Sequence, residues 1–283
     1  QRVAVVMVTR DRRRTTLDSL GQLTKSDPGV PITVVDNAST DGTADTVAAR
    51  YPDVTVVRLP ANLGAAGRNS GVAVTPRPYI AFSDDDSWWA PGALGGAADL
   101  FDAHPKLAVI AAKVLVGPEG RVDPVCDVMA SSPLGQAEAL ESAFGFVACG
   151  AVVRRDAFLG VRGFRLGYGI GGEEELLAID LRAAGWDLRY CPEVVAHHHP
   201  ATDRPPSADR RRRQARNAVR TAFLRRRFGG VVGCTAALSR PAWGDPAVRR
   251  GLADAVGDAL WIWRERLPVD RVLEEDLRRL RSA

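Results

Sequence analysis

Four short apolar runs, residues 3–8, 32–35, 54–57 and 79–82, each close on a polar cluster, and helix-like spacing fills the intervals between them. Leu17, Leu20 and Leu23, for example, mark one helical face between the first two runs. Strands alternating with helices predict an α/β fold with a mainly parallel central sheet flanked by helices. In such a sheet ligands collect beyond the carboxyl ends of the strands, where the connecting loops converge. The polar clusters at those ends are Thr9-Arg10-Asp11, Asp36-Asn37, residues 62–69 and Asp84-Asp85-Asp86, so all four are expected along one edge. A chain of 283 residues, 46% hydrophobic and 25% charged, is long and apolar enough for one large domain with a smaller appended piece.

The acidic triplet is the sharpest chemical signal. Three adjacent carboxylates repel one another, so the fold must supply a countercharge, most simply a divalent cation. Oxygen ligands select Mg²⁺ or Mn²⁺, ions that keep positions open for substrate phosphates. A solvated acidic loop is the plain alternative, but the apolar run before the triplet and Trp88-Trp89 after it favour the cation. Tryptophan faces suit sugar rings, although the core is their commoner fate. One of the pair is expected in the core and the other at a sugar pocket, where Trp89 is placed.

Further along, strands are expected at 107–116, 144–154, 188–190 and 194–196, and a helix at 173–184 ended by Gly185. The last strand leads into His197-His198-His199-Pro200, and the polar, proline-rich segment 201–208 reads as an exposed connection. Alternation along an extended chain puts His197 and His199 on one face and His198 on the other. Cys126, Cys149, Cys191 and Cys234 lack Cys-x-x-Cys spacing, which argues against structural zinc and for reduced thiols in a cytoplasmic protein. No apolar run approaches the roughly 20 residues of a membrane span, and no signal peptide is recognisable.

The net charge of +4 conceals a concentration of arginine at 210–227. There Ala215, Ala218, Val219, Ala222 and Phe223 recur at helical spacing, so the arginines are expected on the solvated face of an amphipathic helix. Binding to nucleic acid would want a recognisable module or interleaved aromatics, and is not expected. Beyond it, Val248, Leu252, Val256 and Leu260 step by fours toward Trp261-Ile262-Trp263. These helices are expected to pack on the catalytic domain, and tryptophans beside Arg264 and Arg266 also fit a homodimer or a peripheral contact at the inner face of a membrane.

Taken in order, the motifs resemble family 2 glycosyltransferases of the GT-A fold, inverting enzymes that use a nucleotide-diphosphate sugar. The motifs are Val8-Thr9-Arg10-Asp11, Val34-Val35-Asp36-Asn37-Ala38-Ser39-Thr40-Asp41-Gly42-Thr43, Asn62-Leu63-Gly64-Ala65-Ala66-Gly67-Arg68-Asn69 and the triplet. Gly163-Phe164, Gly172-Glu173-Glu174-Glu175, and Pro192 leading to His197 follow. The resemblance covers roughly residues 3–225 and implies a GT-A catalytic domain at 1–225 with a helical C-terminal extension at 226–283.

The resemblance also implies roles. Asp36 meets the nucleobase, with Thr9, Arg10 and Asp11 lining the same pocket; an Asx-turn is the alternative for Asp36. Asn62, Gly64 and Arg68 serve the phosphates or nucleotide, although small residues there also suit tight helix packing. Asp84 contacts the ribose or nucleotide, Asp85 acts through water or orients its neighbours, and Asp86 and His197 hold Mn²⁺ or Mg²⁺. Gly150, beside Cys149, lines the donor sugar. Glu174 is the base that takes the acceptor's proton, with Glu173 as the alternative. Burial raises the pKa of Glu174 while the helix N-terminus and the cation lower it, and it is expected to stay ionised at neutral pH. The implied activity is metal-dependent, inverting transfer to an acceptor hydroxyl of unknown class. A sugar nucleotidyltransferase is the near alternative, distinguished by releasing pyrophosphate.

Overall fold

The computed structural model describes residues 1–134, 136–137, 140–142, 145–200 and 208–282. Its first strand, β1 (Val3–Thr9), is buried along its whole length, as a parallel strand covered on both faces must be. Next come α1 (Arg13–Ser26), β2 (Ile32–Asp36), α2 (Thr43–Arg50), β3 (Thr55–Arg58), α3 (Gly67–Val74) and β4 (Tyr79–Asp84). β1 pairs in parallel with β2 on one side and β4 on the other, and β3 extends the sheet beyond β2. The register sets Thr9 opposite Asp36 and Val8 opposite Asp84, so the polar strand ends come level at one edge.

The chain then forms β5 (Ser87–Trp89), α4 (Ala93–Ala103), β6 (Leu107–Val116), β7 (Arg121–Val122), α5 (Pro124–Ala130), β8 (Gln136–Ala137) and β9 (Leu140–Ser142). β10 (Ala151–Arg154), α6 (Arg155–Gly160), α7 (Glu173–Ala183) and β11 (Asp187–His198) complete the sheet region. The strand order is β3-β2-β1-β4-β10-β6-β11-β9-β8, with β5 on β11 and β7 on β6. β10 runs antiparallel to both of its neighbours, whereas β6 and β11 are parallel, so the sheet is mixed.

Two segments differ from expectation. The two strands expected at 188–190 and 194–196 are one, β11, whose pairing with β6 shifts register between Cys191 and Val195. Pro192 has no N–H to give the ladder at that point. The strand expected at 144–154 begins only at Ala151, because Ala148–Gly150 is a tight helical turn; Phe144 lies outside the described residues. The connection expected at 201–208 also lies outside them, apart from Ala208.

Apolar layers cover both faces of the sheet, and β4 feeds each in alternation. Ile80 and Phe82 join Phe158 and Phe164 on one side, while Tyr79 and Ala81 join Leu20, Leu23, Trp89 and Phe101 on the other. α3 lies so close to the sheet that a Cβ at Gly71 would meet Val6 at 2.5 Å.

Five helices follow: α8 (Ala208–Arg225), α9 (Phe228–Gly244), α10 (Pro246–Gly257), α11 (Ala259–Glu265) and α12 (Arg271–Ser282). They dock through small apolar clusters, such as Ile179 of α7 with Val269, Leu273 and Leu277. The arginines of α8 are not the solvated face anticipated from its periodicity. Arg211 holds Asp245 at 2.5 Å, Arg212 holds Asp254 at 2.6 Å, Arg220 holds Asp258 at 2.5 Å and Arg225 binds Asp180. The later helices fold back and supply three of these carboxylates, and α7 supplies Asp180, which no local pattern in 210–227 could foretell. Among the described residues no helix is long and apolar enough to cross a membrane.

Candidate active site

The edge formed by the ends of β1, β2 and β4 collects the polar clusters. Thr9, buried at the end of β1, bonds the Thr16 hydroxyl at 2.8 Å and donates to Asp85 Oδ2 at 3.2 Å. Asp11 takes a left-handed conformation at φ 51° and ties down the next loop, accepting from the Thr40 N–H at 2.6 Å. Arg10 stays at the rim, 3.4 Å from Asp11. At the end of β2, Asp36 is 5% exposed. Its Oδ2 accepts from the Ser39 N–H at 3.3 Å, the expected Asx-type turn, but its Oδ1 has no hydrogen-bond partner among the described residues. A buried carboxylate oxygen left without a donor is costly, and a ligand N–H is the natural remedy.

Asn37 staples this edge to the small-residue loop. Its amide donates to the Gly64 carbonyl and its Oδ1 accepts from the Leu63 N–H, both at 2.9 Å. Asn62 caps the same loop by accepting from the Gly64 N–H. Gly64 itself has φ +60°, and a Cβ there would lie 2.7 Å from Gly169 Cα. Its lack of a side chain therefore serves the approach of two loops. A Cβ on Gly150 would likewise meet Val114 at 2.6 Å, so this glycine lies close on β6, and the neighbouring Cys149 is within electrostatic reach of Asp84, Arg68 and Glu174.

Arg68 links the two groups of carboxylates. It is 2% exposed, its Nη2 binds Asp84, and its Nε and Nη1 have no partner among the described residues. Burial alone would discharge it, but the negative charges of Asp84, Glu173 and Glu174 outweigh that and hold its pKa above the ordinary arginine value. The rings of Phe82 and Phe164 flank it at 6.0 and 5.6 Å.

The chain itself supplies much of the countercharge that the triplet demands. Arg12, a residue the sequence did not single out, donates from Nη1 to Asp85 Oδ1 at 2.7 Å and to Asp86 Oδ2 at 3.0 Å. His198 Nε2 lies 3.4 Å from Asp86 Oδ1. Arg68 takes Asp84. The three aspartates accordingly differ. Burial pushes Asp85 up to about 7, aided by Asp86 and Asp84 and opposed by Arg12. Burial would raise Asp86 too, but His198 and Arg12 hold it below the usual carboxylate value.

The histidine at the triplet is His198, not His197. β5 pairs antiparallel with β11, setting His197 opposite Trp88 and His198 opposite Ser87. Alternation then sends His197 and His199 to the Trp88 ring, at centroid distances of 5.4 and 4.5 Å, and His198 to the carboxylates. The same parity corrects the tryptophans. Trp89 is fully buried beneath α4 and cannot border a pocket, whereas Trp88 is the half-buried partner of the histidines. Among the described residues, no three His, Cys, Asp or Glu side chains gather as a ready metal cage.

Glu173 and Glu174 open α7, which starts from Gly172 in the left-handed region. Glu173 is 2% exposed and turns back to accept from the Gly171 N–H. Glu174 keeps part of its surface open and accepts from the Ala148 backbone. Burial, then the adjacent Glu173 charge, push Glu174 up to about 8, with Arg68 opposing. Low dielectric and a like charge thus work against the helix N-terminus and favour the protonated form of Glu174, the opposite direction to the one expected from the helix start and a bound cation.

Comparison with known proteins agrees with this architecture. Residues 4–161 match the family described as Glycosyl transferase family 2. An N-acetylglucosaminyl-diphospho-decaprenol L-rhamnosyltransferase of Mycobacterium tuberculosis is 27% identical over 216 residues, 63% of this chain and 70% of that protein. A pre-mycofactocin glycosyltransferase of the same organism is 32% identical over 200 residues, 66% of this chain but only 41% of its own length. Among solved structures, the mannosyltransferase PcManGT from Pyrobaculum calidifontis, in complex with GDP-Man and Mn²⁺, aligns over 99% of this chain and 85% of its own. Its TM-score is 0.64 and its sequence identity 21%. S. aureus TarS 1-349 with UDP-GlcNAc aligns over 98% of this chain and 92% of its own, with TM-score 0.62 and 15% identity. The chain belongs to glycosyltransferase family 2, and its fold is GT-A. It is a glycosyltransferase that uses a nucleotide-sugar donor.

Proposed function

We propose that this enzyme transfers its sugar with inversion and with help from a divalent cation, Glu174 acting as base. The observation that carries the reading is the convergence on Arg68: one buried cation faces the triplet through Asp84 and the α7 carboxylates through Glu173 and Glu174. A nucleotide diphosphate and an acceptor hydroxyl must meet between two such groups.

The donor set suits a hard divalent ion. Asp86 Oδ1 and His198 Nε2 are 3.4 Å apart, close to the roughly 3 Å between adjacent ligands of an octahedral ion bound at about 2.1 Å. Asp86 and His198 would hold it, with Asp85 supporting from behind. When bound, Mn²⁺ or Mg²⁺ neutralises charge gathering on the departing diphosphate. The unpartnered Asp36 Oδ1 can accept from a nucleobase N–H such as a pyrimidine imide, and Thr9 and Asp11 frame that pocket. The free N–H groups of Arg68 and the Arg12 guanidinium can turn to phosphate oxygens once the donor arrives.

Glu174 supplies the acceptor step. The acceptor hydroxyl gives its proton to the Glu174 carboxylate as its oxygen bonds the anomeric carbon. The bond from that carbon to the diphosphate breaks, its electron pair leaves with the nucleoside diphosphate, and attack from the opposite face inverts the centre. Glu173, held by the Gly171 N–H, is less free to do this and fixes the helix start instead. Residues 1–225 carry these parts, and 226–283 support them. The relative whose acceptor is lipid-linked makes such an acceptor a natural first trial for this chain.

A thermal-shift screen of UDP-, dTDP- and GDP-sugars with and without Mn²⁺ tests the donor, since a bound donor stabilises according to its occupancy. The stabilising donor should release nucleoside diphosphate, and the product anomer read by NMR should be inverted. A retained configuration, or stabilisation indifferent to Mn²⁺, would sink the corresponding half of the proposal.

A further inference from the structure

The outer helices reverse the usual polarity of a surface helix. Along α10 and α11 the only charged residues between 253 and 263 are Asp254 and Asp258, and both turn inward to Arg212 and Arg220 of α8. The opposite face carries Ala253, Val256, Leu260, Trp263 and, just past α11, Leu267. Val256 is 75% exposed, Leu260 65%, Trp263 77% and Leu267 71%. Steps of three and four residues place Ala253 to Trp263 in one stripe about 15 Å long, and Leu267 follows after the chain turns extended at Arg266. A helix whose ion pairs point inward and whose Leu and Trp point outward is built for something that covers it.

The charges around the stripe say what kind of surface that is. At one end Arg249, on the same face by spacing, stands beside Trp243, whose carbonyl it binds at 3.1 Å and whose side chain is 87% exposed. At the other end Arg264 follows Trp263, and Arg271 is exposed a short way on. The nearby acids are engaged: Glu265 pairs with Arg165 at 2.9 Å, and Asp270 accepts from the Leu273 N–H at 2.8 Å. In a two-fold pair of copies, antiparallel stripes would set Arg249 of one against Arg264 of the other, like against like. The stripe is also shorter than the three to four heptads of a stable coiled coil. Tryptophans and arginines at both ends of a flat apolar stripe match a helix lying in the headgroup layer of an anionic bilayer.

We propose that α10 and α11 dock this chain on an anionic lipid surface. Val256, Leu260, Trp263 and Leu267 enter the headgroup boundary, and Arg249 and Arg264 meet lipid phosphates. This goes beyond sugar transfer and is measured without any substrate.

Vesicle flotation tests it directly. The wild-type chain should float with mixed phosphatidylcholine and phosphatidylglycerol vesicles, less with phosphatidylcholine alone, and less again as salt is raised. L260E/W263E should cut the partition coefficient about tenfold or more, since both side chains lose their burial. Arg264→Glu should weaken it a few-fold. Because the altered side chains are exposed, circular dichroism and melting temperature should match wild type, which separates lost docking from misfolding. Wild-type protein that stays in the aqueous phase, or L260E/W263E that floats equally well, overturns the proposal. Failure to float together with a dimer in sedimentation equilibrium that L260E/W263E breaks would assign the face to a second copy instead.

Discussion

Burial and the Glu173 charge favour a protonated Glu174 in the folded chain, and its proposed role as base would make this one residue link stability to activity. Its pKa rises from the ordinary 4.5 to about 8, first through burial and then through Glu173. Between those values the native state binds more protons than the unfolded state, so the group's contribution to stability is full below pH 4.5 and is lost as pH rises through about 8. Glu174→Gln stays neutral and escapes that loss. Its melting temperature should match wild type near pH 5 and exceed it at pH 8.5, by about 2–4 °C for each 1 kcal/mol recovered. Turnover should fall by about 10²-fold or more with donor binding retained. For the wild type, a base that must be ionised gives kcat/KM rising with pH toward about 8. A flat profile from pH 6 to 9, or a variant that turns over normally, would remove Glu174 from the mechanism. Three glutamates opening a helix after two glycines marked the place in the sequence; the charge state was not legible there, because the groups that surround Glu174, Arg68 and Ala148 among them, are remote in the chain and meet it only on folding.

Loops rather than strands decide how precisely the elements meet at the site. Gly64 approaches Gly169 so closely that Gly64→Ala would force a Cβ to within 2.7 Å of backbone and strain a residue at φ +60°. We expect about 1–3 kcal/mol of destabilisation, together with a larger loss in kcat, because the Gly169 loop leads into Glu173 and the Gly64 loop into Arg68. Chemical denaturation and steady-state kinetics check both, and a variant with wild-type stability would show that the loops separate cheaply. Strand ends were legible from apolar runs closing on polar residues, since β1, β2 and β4 line up their termini in register. Parity was harder. Which of two tryptophans is buried, and which of three histidines meets Asp86, depends on how β5 pairs with β11, and that pairing joins segments about 110 residues apart. Arg12 was hidden differently: it stands among Arg10, Arg13 and Arg14, and only the start of α1 decides which of the four turns to the triplet.

α8 ties α7 to the helices that follow it, α9, α10 and α11. Arg225 binds Asp180 of α7, Asn217 donates to the Tyr168 and Gly171 carbonyls before Glu173, and Arg220 reaches both Gly167 and Asp258. The helix that carries the carboxylates is therefore fastened by the same element that fastens α10 and α11. Just past α8, Arg226 forms a two-pronged pair with Glu274 of α12, both bonds at 3.1 Å and both side chains almost fully buried. Removing Arg226 leaves the buried Glu274 charge with only Arg278 at 3.5 Å and the Arg227 N–H at 3.0 Å to offset it, so Arg226→Ala should destabilise by about 3 kcal/mol. Replacing both with apolar residues, Arg226→Met with Glu274→Leu, should recover much of that, because the cost lies in the stranded charge more than in the lost pair. If α7 and the C-terminal helices form one cooperative unit, calorimetry of Arg226→Ala should show a single transition moved down by about 10 °C. A separate early transition, with the sheet melting where it does in wild type, would instead make 226–283 an independent unit that rests on the catalytic region without holding Glu174 in place.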